Sequence, residues 1–321
     1  MKSIPPNPPS GESEPVINLA GDTYVVPGPT NIGLYARDGQ AWLVDSGNDK
    51  EAGRRLNKIA TDRGWRVVGV VNTHSNADHA GGNAFLQAKT GCRIAASVPE
   101  AAFVEAPEIE AAFLWGGFAP RELRNKFFEA KPSRVTDRIA FPPHAGEGPF
   151  SFSPLPAGLS AFPLPGHFFG MVGVLTADRV AFLGDSLFGE TVLSKYRVPF
   201  IYDAASFAET LKRLPGLDAD AFVPSHGPVL RGRGELAALT AKNLERFEEL
   251  CSRVLSSVDL RGAASFEDAL ADTASAFGIA LDAGQYALVG STVRSVLSYL
   301  RETGSLDAEF ADNRLSWRRA R

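Results

Sequence analysis

The segment "NTHSNADHAGG", residues 72–82, places His74, Asn76, Asp78 and His79 within six positions. Imidazole nitrogens and carboxylate oxygens at such spacing are donors for a divalent cation. His74 and Asn76 stand two apart at an extended strand end, so both face one side. Asp78 and His79 follow at the turn into a helix, and Gly81-Gly82 lets that turn lie close against other backbone. Taken alone, the cluster could equally be a polar loop with two unrelated histidines. The rest of the chain shifts the balance. His167 closes "LSAFPLPGH", Asp185 ends "RVAFLGDS" and His226 closes "AFVPSHG", each at the end of a strand-like run. Donors gathered at strand ends are how α/β architectures build sites. His144, in "FPPHAGEG", lacks that context and reads as an ordinary loop histidine.

The elements that must present these residues can be read from periodicity. "NIGLYARDGQAWLVDSG" is two strands around the hairpin signal Asp38-Gly39. A helix is expected at about 51–63, then "WRVVGVVNTHS" as a strand buried on both faces and ending at His74. "DHAGGNAFLQAKTG" reads as one helix stopped by Gly91, and "CRIAAS" as the next strand. Residues 100–150 hold short helices around a Gly-Gly turn. Strands resume with "LSAFPLPGH" and "MVGVLTADRVAFLGDS", then a helix near 206–213 and the strand "DAFVPSHG". After Gly234 the pattern turns helical, with Ser265 placed to cap a helix at "SFEDALADTASAFG", one or two helices in "GQYALVGSTVRSVLSYLRETG", and a ribbon in "SLDAEFADNRLSWRRA". Three helices followed by a ribbon suggest a winged-helix-like unit.

The expected organisation is a disordered lead-in over 1–15, a catalytic domain over 16–230 and a helical unit over 231–321. The 321 residues carry 33 basic and 37 acidic side chains, a net charge of −4. That balance disfavours the whole chain as an electrostatic partner of nucleic acid. Cys92 and Cys251 form no CxxC pair and read as buried free thiols. No apolar leader or membrane-length run is visible, so a cytoplasmic protein is expected.

The ordered set His74, Asp78, His79, His167, Asp185, His226 resembles the HxHxDH…His…Asp…His signature of the metallo-beta-lactamase fold superfamily, and "LVDSG" at 43–47 is similar too. The resemblance spans residues 16–230 and implies an αβ/βα four-layer sandwich of class α/β. It further implies one metal position at His74, Asn76 and His167, a second at Asp78, His79 and His226, and Asp185 bridging them. The implied ions are one or two Zn2+, with Fe or Mn as alternatives. Asn76 departs from the signature, since an amide oxygen is a neutral, weaker donor than imidazole, so the position it completes should bind its ion less tightly.

The implied activity is attack by a metal-held hydroxide on an ester, thioester or lactone, with Asp78 orienting the nucleophile, as in the glyoxalase II-like side of the superfamily. Asp185 stands where some beta-lactamases have a cysteine ligand. Phe168, Phe169, Trp115 and Tyr196, with Phe118 and Tyr202, are candidates to line a pocket for a small acyl substrate. The alternative is a phosphodiesterase or nuclease that engages nucleic acid through the C-terminal unit. That unit's Arg314, Arg318, Arg319 and Arg321 lie beside Asp307, Glu309 and Asp312, however, and its central helix is mostly apolar. A lid or homodimer role for it is the stronger expectation.

Overall fold

The computed structural model describes residues 16–142 and 144–320. The lead-in expected over 1–15 lies outside the described residues. The chain opens with β1 (Ile17–Ala20), β2 (Thr23–Val26), β3 (Ile32–Arg37) and β4 (Gln40–Val44), an antiparallel meander. Asp38 and Gly39 sit at its β3–β4 turn with positive φ, as the hairpin signal requires. Helix α1 (Lys50–Asp62), N-capped by Asp49, leads to β5 (Arg66–Val71), parallel to β4.

The stretch after β5 departs from expectation. It forms two short helices, α2 (Ala77–Ala80) and α3 (Asn83–Thr90), broken at Gly81-Gly82. The break follows from crowding: a Cβ on Gly81 would lie 2.3 Å from the Asn48 carbonyl carbon, and one on Gly82 2.3 Å from the Ser46 carbonyl oxygen. Gly91 ends α3 in the left-handed conformation, as anticipated.

Strand β6 (Arg93–Ser97), helices α4 (Val98–Glu105) and α5 (Glu108–Trp115), and β7 (Asp137–Ile139) complete a seven-stranded sheet in sequence order. The second sheet holds β8 (Ser153–Pro154), β9 (Ser160–Pro163), β10 (Val172–Leu175) and β11 (Val180–Gly184). After α6 (Glu190–Tyr196) and α7 (Ala204–Arg213) it adds β12 (Ala221–Pro224) and β13 (Leu230–Arg231). Only its β11–β12 pair is parallel.

Strand alternation builds the layers. Tyr35, Trp42 and Val44 of the first sheet meet Val172, Val174, Val180 and Phe182 of the second in one inter-sheet core. Leu34 and Leu43 point the other way, onto Leu56 and Ile59 of α1 and Leu86 of α3. On the far side Phe162, Leu183 and Phe222 meet Phe207 and Leu211 of α7. The result is helices, sheet, sheet, helices.

The remaining chain forms α8 (Gly232–Arg261), α9 (Phe266–Ala276) and α10 (Ala283–Glu302), a single helix, then the ribbon β14 (Leu306–Ala311) and β15 (Arg314–Arg319). Ser265 and Asp268 form the capping box at α9. The apolar cluster beneath the second sheet runs on without interruption into Leu236, Leu250, Val254, Val293 and Leu297. The C-terminal helices therefore share a core with the sheet they cover. Cys92 and Cys251 are free and buried. Among the described residues no helix is long and apolar enough to cross a membrane.

Candidate metal centre

The predicted donors gather past the carboxyl ends of strands, with Asn76 at the start of the short helix α2 after β5 and Asp78 and His79 within it. His74 follows β5, His167 follows β9, Asp185 immediately follows β11, and His226 follows β12. Strands β9, β11 and β12 run in one direction, so their ends open on one edge of the sandwich. The two sheets are stitched there: Val172 N donates to Thr73 O, 2.8 Å, and Asn31 N to Ser225 O, 2.8 Å.

The donors converge. The ligand atoms of His74, His79 and Asp185 lie within 4.8 Å of one another, as do those of Asp78, His79 and His226. His226 Nε2 is 3.2 Å from Asp78 Oδ2 and 3.4 Å from Asp185 Oδ2, and His79 Nε2 is 3.4 Å from Asp185 Oδ1. His167 Nε2 lies 3.7 Å from Asp185 Oδ2. Asp185 thus stands between the two groups. His144 pairs with Glu147, away from the centre.

Each imidazole commits its Nδ1 outward. His79 Nδ1 meets Asp45 Oδ2 at 2.8 Å, His167 Nδ1 the Phe200 carbonyl at 2.9 Å, and His226 Nδ1 the Pro29 carbonyl at 2.6 Å. The Thr73 hydroxyl donates to Asp45, which leaves its oxygen to accept from His74 Nδ1 at 3.1 Å. All four Nε2 atoms then face the centre, the orientation that outer partners impose on metal-ligating histidines. His74 Nε2, His79 Nε2 and Asp185 Oδ1 are buried with no hydrogen-bond partner. Burying such atoms unpaired is costly, and divalent cations would satisfy them. The residues present therefore fit a metal centre.

Asn76 caps the amino end of α2, yet its side chain makes no capping bond. Its amide nitrogen instead donates to Glu110 Oε1, 2.7 Å, and its oxygen sits 3.2 Å from His167 Nε2. Asn76 is therefore aimed at the position expected of it.

The electrostatics split the site in two. Burial, together with His79 and His167, holds His74 well below the ordinary histidine value, and burial also lowers His167. Burial opposes charge on His79 too, but Asp78, Asp185 and Asp45 outweigh it and push His79 up to about 9. Asp185 and Asp78 are held below the carboxylate range, against burial, chiefly by the histidines facing them. One side is neutral; the other is a dense array of opposite charges.

Three residues of this constellation escape a reading by motif. Asp45, directly after β4 with φ 65°, accepts from Thr73 N, the Thr73 hydroxyl and His79. Its only sequence signal is its place in "LVDSG". Glu100 is fully buried and accepts from Ser75 N, the Ser75 hydroxyl and Gly170 N; burial pushes it up to about 7 against these donors. Glu110 is buried and driven well above its usual value by burial, with the Asn76 amide opposing. Both glutamates lie in short helices with no motif around them.

A family model described as the metallo-beta-lactamase superfamily matches residues 25–226. The chain belongs to that superfamily. Members bind divalent metals, and membership makes this protein a metallohydrolase. The fold of a metallo-beta-lactamase family protein of Thermus thermophilus is similar over 93% of this chain and 98% of that one, with TM-score 0.71 and 18% identity. A beta-lactamase domain protein of Burkholderia ambifaria is similar over 98% and 96%, with TM-score 0.69 and 19% identity. A curated hydroxyacylglutathione hydrolase of Methylococcus capsulatus is 56% identical over 32 residues, which span 10% of this chain and 12% of that protein.

The aromatic candidates separate. Phe168 is 1% exposed, its ring packed against Phe103 and Phe113, so it forms wall beneath the surface and lines no open pocket. The motif position suggested otherwise because a residue beside a ligand can face either way. Phe169 stacks on Tyr202, ring centroids 4.0 Å apart, beside His167. Trp115 and Tyr196 are exposed, and Trp115 neighbours Tyr286 of α10.

Proposed function

We propose that this metallohydrolase is a zinc enzyme acting on an ester, thioester or lactone. The observation that carries the reading is the set of four inward-facing Nε2 atoms around Asp185 and Asp78. Nitrogen-rich donors with carboxylates and no thiolate suit Zn2+, with Fe or Mn as the nearest competitors. His74, Asn76 and His167 would hold one ion and Asp78, His79 and His226 the other, with Asp185 shared. Bound cations supply Lewis acidity and lower the pKa of water.

The protein's own groups do the rest. Asp78 and His226 are the open side of the centre, with side chains 44% and 18% exposed, while His74 and His79 are fully enclosed. Substrate therefore approaches over Asp78. A carboxylate kept ionised there, with the Thr30 hydroxyl 3.4 Å away, can orient an attacking water, accept the proton that water loses and hand it on to the leaving group. The stacked Phe169–Tyr202 pair offers an apolar surface to an acyl chain. The short likeness to hydroxyacylglutathione hydrolase is consistent with a thioester.

A nuclease reading has less support. Arg318 pairs with Glu309 and Arg319 with Asp259, which leaves less of the ribbon's positive charge for phosphates. The C-terminal unit serves instead as support for the site or as a homodimer contact, in a cytoplasmic protein. Metal analysis followed by assay of Zn2+-loaded protein on p-nitrophenyl esters, thioesters, lactones and bis-p-nitrophenyl phosphate tests the reading. Turnover of the acyl substrates is expected. Cleavage of the phosphodiester with no acyl turnover would replace it with the nuclease alternative.

A further inference from the structure

Two of the three ligands on the neutral side of the centre, Asn76 and His167, are held by groups that lead to the C-terminal helix α10. The first route runs through Asn76. An Asn at a helix start ordinarily turns its side chain back to cap the free backbone N–H groups. Here the amide nitrogen is drawn to Glu110, which leaves the oxygen facing His167 Nε2. Glu110 lies on α5, and its neighbours Ala111 and Leu114 pack with Ala287 and Leu288 of α10 in one apolar cluster.

The second route runs through His167. Its Nδ1 donates to the Phe200 carbonyl. The segment around Phe200 is held by Thr292, a fully buried residue of α10: Ile201 N donates to the Thr292 hydroxyl at 3.0 Å, and that hydroxyl lies 3.1 Å from the Pro199 carbonyl. Ser295, one turn on, accepts from Ala204 N at 2.8 Å. Gly166, just before His167, has a φ of 125°, and a Cβ there would strike the Phe207 backbone of α7. The His167 loop is thus clamped between α7 and α10.

The remaining ligands, His74 of the neutral side among them, have no such dependence. His79 is oriented by Asp45 and His74 by Thr73, both at strand ends of the first sheet, and His226 by the Pro29 carbonyl.

We propose that Glu110 and Thr292 are positioning residues for the His74–Asn76–His167 position, through which α10 sets how tightly that position holds its ion. The proposal rests on the metallohydrolase reading above. Glu110 accepts the Asn76 amide N–H and so presents the carbonyl oxygen, the only ligating atom an amide has, to the cation. Thr292 fixes the carbonyl that fixes the His167 ring. A neutral amide is a weak donor, so its contribution depends on being held in place before the ion arrives.

Stepwise Co2+ titration of the full-length protein, stripped of metal, tests this through the visible d–d spectrum and the stoichiometry. Wild type is expected to bind two equivalents in a tight and a weaker step. Glu110→Leu and Thr292→Val should weaken the second step by ~10–100-fold, the usual range for an outer partner of a metal ligand, with the first step and its spectrum unchanged. Glu110→Gln and Thr292→Ser, which keep an acceptor oxygen or a hydroxyl, should bind as wild type. Unchanged binding in both Leu and Val variants overturns the proposal, and so does equal weakening of both steps, which would make the residues general supports of the fold. If Glu110→Leu fails to fold, the Thr292→Val and Thr292→Ser pair decides. One step only in wild type removes the weaker position and the proposal with it. Absence of any Co2+ binding in wild type instead sinks the metallohydrolase reading itself.

Discussion

The two halves of the metal centre are built by different means. On one side Asp78, His79, His226 and Asp45 form alternating charges whose partners come from strand ends of the two sheets. On the other, His74, Asn76 and His167 are neutral donors, and two of the three are steadied by groups that lead to α10. The contrast suggests that opposite charge in a low-dielectric pocket suffices to hold one cation, whereas uncharged donors have to be held in register by packing. On the proposed reading, an amide in place of an imidazole on the neutral side should cost affinity without destroying the site, because most of the electrostatic attraction lies elsewhere.

The largest test removes the charged half. His79→Ala should lower hydrolytic kcat/KM and affinity for the tighter ion by more than the ~100-fold upper end seen for outer partners, since it deletes a ligand. Retention of the tighter ion, measured by chelator competition, would show that the charged side is not the stronger one. Asp45→Asn comes next. Asn tolerates the positive φ that Asp45 adopts, so the fold should survive while the His79 ring loses its anionic partner. A fall of ~10–100-fold in affinity for the tighter ion is expected, by the same competition assay.

The pH dependence sharpens the comparison further. With His79 raised to about 9, the cation-free charged side holds a proton on it throughout the neutral range. His226 is likewise raised, against burial, by Asp185 and Asp78, so an incoming cation has to displace protons from both rings, and affinity should rise with pH through the neutral range by about tenfold per pH unit for each proton released. The neutral side, with His74 and His167 lowered by burial, should show no such slope over that range. Calorimetry in buffers of different ionisation enthalpy counts the protons; equal release from both steps contradicts the division. The smallest effect is expected for Asn76→His, which should tighten only the weaker step, on the order of tenfold, without altering the fold. Loss of the folded circular dichroism signal in that variant would mean that Asn76 is structural.

The cluster of side chains was legible early, because its imidazoles and carboxylates follow successive apolar runs whose strand ends share an edge. His74, Asp78, His79, His167, Asp185 and His226 all converge as their order implied. The four layers were expected from the resemblance alone; the structure builds them by alternation, with Tyr35 and Phe182 between the sheets and Leu34 and Leu183 towards the helices. The helix after β5 was misread as continuous. The Gly81-Gly82 pair was visible, but not the Ser46 and Asn48 carbonyls that press against it from another loop. Phe168 was misassigned for a similar reason: adjacency to a ligand fixes where a side chain starts, and only packing decides which way it turns.

The amino-acid order by itself determined the candidate donor types, their succession along strand ends and the single amide among them, because these depend on local chemistry and a period of two. Only the tertiary structure decided that Asp45 steadies His79, that Glu110 turns the Asn76 amide, and that Thr292 reaches the His167 loop from 91 residues beyond Ile201. Those contacts join segments that share no local signal. An isolated Glu or Thr in a helix has the same pattern whether it faces water or a metal ligand, and the packing of α5 and α10 settles which.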